Sequence, residues 1–199
     1  MKKITFMTLA IIMILSGCTW VGTKENVQLL EKGEIDISQS FYMIYPTNGI
    51  EQTYFTASIT ESETSAKDAS DVFYKKFYKK FGSLVISDEN VSLEQGFKTA
   101  KARGDKYLIA MDINEWKDTF YMTCQPSPQV ARVNDVMYQV MDTADITISV
   151  YDVNSQKLLN KQRVQNRGCP MSILVLIPIG KMSPDSRFNS SLDKWLENL

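Results

Sequence analysis

Three carboxylates, Asp112, Glu115 and Asp118, fall within seven residues of one another. Oxygen donors this close could hold a divalent cation or divide the roles of acid and base. On an extended chain, however, Asp112 and Asp118 share one face and Glu115 takes the other. The three converge only if the strand bends, so solvated charges at a strand end are the simpler expectation. The chain has no histidine. That removes the commonest general base, the commonest metal ligand and the usual partner of a serine or cysteine nucleophile. Gly82, Gly96 and Gly104 stand singly, and each is accounted for by a helix, so no phosphate-cradling loop is present. The expectation is a chain without metal, cofactor or assembled catalytic set, and therefore not an enzyme.

Two further patterns could bind. Tyr74-Lys75-Lys76-Phe77-Tyr78-Lys79-Lys80 interleaves cations with aromatic rings, a composition suited to lipid head groups, glycan strands or nucleic acid. The simpler expectation is an amphipathic helix with a solvated lysine face, Phe77 inward and the tyrosines at the border. Trp116, followed by Asp118, could line a ligand groove. It could equally close the edge of a core while Asp118 caps a turn, and the second is favoured.

The amino terminus carries a different chemistry. Met1-Lys2-Lys3 is basic, Ile4–Leu15 is almost wholly apolar, and Leu15-Ser16-Gly17-Cys18 follows. The apolar run is too short to span a bilayer as a helix. Small residues before a cysteine, after a basic and then an apolar stretch, resemble the lipobox of bacterial lipoproteins. That resemblance implies a signal peptide at 1–17, cleavage before Cys18, and a diacylglyceryl group on its thiol with an acylated amino terminus. The protein would then be anchored to a membrane without crossing it. Thr19 follows Cys18 where an aspartate would retain a lipoprotein in the inner membrane. The expected place is the outer membrane, facing the periplasm.

Behind the signal, roughly 180 residues suit a single domain, long enough to bury about 70% of the unfolded surface. The formal net charge is −1, which gives no electrostatic case for nucleic acid. With Cys18 acylated, two of the three cysteines remain, Cys124 and Cys169. In an oxidising envelope an even pair reads as a disulfide, with two buried thiols as the alternative.

The elements that must position these residues follow from periodicity. Residues 18–35 read as a polar, lipid-anchored tether, reaching roughly 20–25 Å as a coil, with Val27, Leu29 and Leu30 able to pack onto the body and order part of it. A domain then spans 36–199. Ser40–Tyr45 suits a strand. Ala66, Ala69, Val72, Phe73, Phe77 and Phe81 form one apolar stripe of a helix over 64–81, which Gly82 stops. Leu84–Ser87 is a short strand. Ser92 and Gln95 fit a capping box for a helix to Arg103, with Gly96 allowing close approach. Tyr107–Trp116 is apolar on both faces at first, as a central strand is. Residues 119–138 are an irregular insertion. Ala144, Ile146, Ile148 and Val150 alternate with polar residues as a half-exposed strand, and Lys157–Arg167 returns as a polar partner near the sheet edge. Phe188, Leu192, Trp195, Leu196 and Leu199 keep helical spacing at the end. The order β-α-β-α-β-β-β-α predicts an α/β (α+β) domain with a mixed sheet and packed helices.

Ala100–Asp118, with its A-x-x-x-G helix end, Tyr107-Leu108-Ile109 strand and Trp116-x-Asp118, precedes a Val150-Tyr151-Asp152 hairpin and a Lys157-Leu158-Leu159 return. These motifs resemble a family of small bacterial lipoproteins defined only by a domain of unknown function. That family looks like the amino-terminal α/β domain of TolB, a fold also found in lipoprotein subunits of envelope machines. The insertion and the stretch after the hairpin depart from the family pattern, and each holds one of the two remaining cysteines. Taken together, the resemblances imply a lipid-anchored periplasmic domain that binds another envelope component. A structural or assembly subunit is the alternative, and a cell-wall hydrolase a more distant one.

Overall fold

The computed structural model describes residues 24–52, 59–61, 64–117, 142–168, 171–172, 178–179 and 183–199. Cys18 and the signal, Asp118, the 119–138 insertion, Cys124 and Cys169 lie outside them. In chain order the strands and helices are β1 (Lys24–Lys32), β2 (Phe41–Met43), β3 (Ile50–Gln52), β4 (Ile59–Glu61), α1 (Ser65–Phe81), β5 (Val85–Ile86), α2 (Leu93–Arg103), β6 (Tyr107–Lys117), β7 (Asp142–Asp152), β8 (Leu158–Gly168), β9 (Met171–Ser172), β10 (Pro178–Ile179) and α3 (Pro184–Glu197).

The main sheet runs β1-β8-β7-β6-β2-β5. β2 lies parallel to both β6 and β5, whereas β6, β7, β8 and β1 are antiparallel in succession. The expected mixed sheet with packed helices is therefore the fold. β3 joins it through Ile50 beside Glu115 and pairs with β4. β9 and β10 pair separately.

Helix boundaries follow local chemistry. Ser92 Oγ accepts from Gln95 N–H at 3.2 Å, as its spacing implies, and Gly82 and Gly104 end α1 and α2 in the left-handed region at φ 72° and 81°. The start of α1 is capped from outside: Asn48 Oδ1 accepts from Ala66 N–H at 3.0 Å. At Gly96 a Cβ would sit 2.5 Å from Ile44 Cδ1, so the glycine lets α2 lie close on the sheet.

The two faces of the sheet are covered differently. α1 and α3 bury Phe73, Phe77, Phe188, Leu192 and Trp195 against Phe41, Ile146 and Ile148. α2 covers only one end of the other face, with Phe97 and Ala100 on Tyr42, Ile44 and Leu108, and Phe97 edge-on to Tyr151 of β7 at 5.6 Å. The rest of that face is polar and has no helix over it among the described residues.

Two expectations change. Residues 24–32, read as part of a tether, form β1 at the sheet edge, so β8 is an inner strand. The reason is register: Val27 packs beside Val164, but a bulge at Leu30 breaks the alternation that identifies a strand. β7 is buried on both faces rather than one, with Asp145 at 1% and Ser149 at 2% exposure. Its neighbours β6 and β8 reach across its polar side.

Candidate functional site

The lysine-rich helix places its four cations unequally. Lys76 is paired with Asp193 at 2.8 Å and also donates to the carbonyl of Asn189. Lys80 donates to the carbonyl of Leu196 at 3.0 Å and lies 5.4 Å from the Phe81 ring centroid. These two tie α1 to α3. Lys75 and Lys79, turned about a third of a helical turn away, are exposed and form no ion pair among the described residues. Beside them Tyr74 and Tyr78 are 38% and 50% exposed, their rings stacked at 5.4 Å. The free surface is thus Tyr74, Lys75, Tyr78 and Lys79. Replacing Lys75 and Lys79 with glutamine is expected to leave the unfolding midpoint unchanged. The same change at Lys76 and Lys80 is expected to cost roughly 1–2 kcal/mol. Chemical denaturation of both double variants checks the split, and equal effects would contradict it.

Of the three carboxylates Asp112 is exposed, as expected, Asp118 lies outside the described residues, and Glu115 departs from what its spacing predicts. β6 carries a bulge between Ile113 and Glu115, so Asp112 stands opposite Thr147 and Glu115 opposite Asp145. The bulge returns Glu115 to the face of Asp112, where it accepts from Arg167 at 3.1 Å. The centre of this face is Asp145, which the sequence does not single out. Arg163 grips it bidentately, Nε at 2.8 Å and a terminal nitrogen at 2.7 Å. Gln165 donates at 2.6 Å, and Asn114 at 3.1 Å while also reaching Thr147 Oγ1 at 3.0 Å. Burial alone would push the Asp145 carboxyl up. The hydrogen bonds from Arg163, Gln165 and Asn114 outweigh it and hold the group below its ordinary value. A carboxylate with its lone pairs occupied by donors is a structural anion rather than a base.

Asp152 serves the β7–β8 turn in the same way. It is held at about 2 by the hydrogen bond from Lys106, then by Ser155, which donates backbone N–H at 2.7 Å. Among the described residues no three of His, Cys, Asp and Glu come together to hold a metal.

Trp116 is not a surface residue. It is 4% exposed and meets Phe188 edge-on, with centroids 6.2 Å apart, so it closes the core. A shallow cleft of about 400 Å³ opens at the carboxyl ends of the parallel strands β2 and β5, lined by Tyr45, Asn48, Lys67, Asp88 and Asn90 among others. Ligands of α/β sheets sit at such ends. Here Lys67 is paired with Asp71 at 3.0 Å, Asn48 caps α1, and Asn90 donates to Tyr45 O at 2.7 Å, so these polar groups serve the fold.

Comparison with known proteins bears on fold first. No curated protein matches the chain. A solved structure, the PelC dodecamer from Paraburkholderia phytofirmans, is similar at 11% identity over 88% of this chain and 96% of that one, with a TM-score of 0.56. Lipoprotein GNA1162 from Neisseria meningitidis is similar at 7% identity over 79% of this chain and 96% of that one, with a TM-score of 0.41. The LpoB C-terminal domain from Escherichia coli is similar at 7% identity over 67% and 86%, with a TM-score of 0.37. The first supports a shared fold over nearly the whole of both chains. The likeness to the TolB amino-terminal domain expected from the sequence is carried by none of the three. A family model described as a domain of unknown function, DUF4823, matches residues 49–199, which takes in all three helices and every strand after β2. The chain belongs to the DUF4823 family.

Proposed function

We propose that this protein is a lipid-anchored component of the bacterial envelope, held at the outer membrane facing the periplasm, whose domain binds another envelope component without catalysing a reaction. The observation that carries the reading is Leu15-Ser16-Gly17-Cys18 behind a basic and then an apolar stretch. The described domain adds support. Asp145, Asp152, Glu115, Lys76 and Lys80 are each committed to holding strands or helices together. The free cationic and aromatic groups of α1, Tyr74, Lys75, Tyr78 and Lys79, form the surface offered to a partner. Crosslinking in whole cells followed by pulldown tests this. A stoichiometric partner captured by the wild type and lost from the Lys75→Gln/Lys79→Gln variant is expected. Identical capture by both would remove this surface as the contact.

A second reading, a subunit of a homo-oligomer, is favoured by one observation: the structure similar over nearly the whole chain is a dodecamer. The native mass of the detergent-extracted protein tests it. Export also motivates a Cys124–Cys169 disulfide, and two free thiols in freshly isolated protein would contradict that bond.

A further inference from the structure

Among the described residues β1 ends the sheet on one side. Among the described residues β8 is its one strand partner, so the other edge presents unpaired backbone donors and acceptors. From Gln28 to Lys32 every residue is exposed, with Leu29 at 41% and Leu30 at 45%. Edge strands are protected by charges and bulges, and β1 has both: Lys24, Glu25, Glu31 and Lys32 at its ends, and the bulge at Leu30. The placement of these devices decides which partner they exclude.

Glu25, Val27 and Leu29 stand opposite Asn166, Val164 and Gln162. Asn166 bonds Ser191 of α3 at 3.0 Å, which identifies this as the helix-covered face. The bulge reverses the alternation, so Lys32, opposite Asn160, returns to that face, and Glu31, opposite Lys161, takes the open one with Asn26. Residues facing each other across antiparallel strands share a face. Lay the β1 of a second copy antiparallel, with the two Gln28 residues opposite. Val27 then meets Leu29, Leu30 bulges from the ladder in both strands, Asn26 meets Glu31, and Glu25, one of whose carboxylate oxygens accepts from Lys194 of α3 at 2.7 Å, meets Lys32. Every pair shares a face, and the apolar and ionic pairs each occur twice. A slip of one residue puts paired side chains on opposite faces and parts Glu25 from Lys32.

We infer that β1 is a self-association edge: two copies pair β1 to β1 about a two-fold axis at Gln28, joining two sheets into one. The chain start permits it. The two Lys24 positions would lie roughly 26 Å apart, and the residues between Cys18 and Lys24 extend up to about 20 Å. A two-fold axis normal to the sheet turns the same face of both copies toward one membrane. The inference deepens the self-association reading, and its test separates the two.

The test is native mass spectrometry of the full-length, detergent-extracted protein. The wild type is expected at twice the monomer mass or a multiple of it. Lys32→Glu and Glu25→Lys each bring like charges together twice, and each variant alone is expected to lose the β1 contact and halve the smallest oligomer. Because Glu25→Lys also gives up the ion pair with Lys194 of its own α3, restoration by co-expression is what assigns its loss to the β1 contact. Co-expressed, they place opposite charges together at both positions, and a heterodimer containing one of each is expected. Gln28→Cys, on the axis, is expected to give a covalent dimer on mild oxidation, with an unchanged melting curve in reductant. A monomeric wild type overturns both the edge and self-association. An oligomer that ignores both charge variants and yields no Gln28→Cys crosslink overturns the β1 edge alone.

Discussion

Trp195→Ala is expected to lower the free energy of unfolding by about 3–5 kcal/mol. The side chain has 0% exposure and lies between the sheet and α1, its ring centroid 5.3 Å from Phe73 and 6.4 Å from Phe77. Phe77 in turn meets Phe41 of β2 at 4.9 Å. Removing the indole leaves a cavity that three elements line, and a site fixed from three sides collapses poorly. Denaturant unfolding checks it. An unchanged midpoint would mean that α3 contributes nothing to the cooperative unit.

Asp145→Asn is expected to cost about 2–3 kcal/mol near neutral pH. The substitution keeps the shape but removes the anion from beneath Arg163 and Arg167, and puts a donor where Gln165 and Asn114 already donate. The sign with pH follows from linkage. The folded carboxyl titrates below the ordinary 3.8. Its stabilisation is therefore complete above about pH 4 and disappears as pH falls through the lower folded value. Wild-type stability is expected to drop over that acid range, while Asp145→Asn keeps only the part of the drop that Asp152, titrating at about 2, and other carboxylates supply. Parallel pH profiles for wild type and variant would contradict the network.

What could be read from the sequence and what could not divide along a physical line. α1, α2 and α3 are legible because a helix writes its buried face into spacing of three and four residues, and Phe73, Phe77, Phe188, Leu192 and Trp195 keep it. The caps at Ser92, Gly82 and Gly104 are local as well. β1 was hidden by one extra residue, since the Leu30 bulge destroys the period of two. The bulge in β6 likewise brought Glu115 to an unforeseen face. The Asp145 network is set by register alone: Arg163 and Gln165 reach Asp145 only because β7 and β8 pair as they do. Lys76 reads as solvated because nothing local reveals that α3 lies alongside, and Lys80, exposed as expected, reaches a carbonyl of that helix. Of the candidate binding residues, Tyr74, Lys75, Tyr78 and Lys79 are where the sequence placed them, and Trp116 is in the core.

In the proposed function lipid on Cys18 anchors the chain, and labelling that residue is the most direct test. Cells expressing the full-length wild type or Cys18→Ser are fed a fatty-acid analogue, and the protein is isolated from the membrane and soluble fractions. Labelled wild type is expected in the membrane fraction, and a Cys18→Ser protein that is uncut or unlabelled. Label persisting on Cys18→Ser, or a wild type that takes up none, would contradict the anchor.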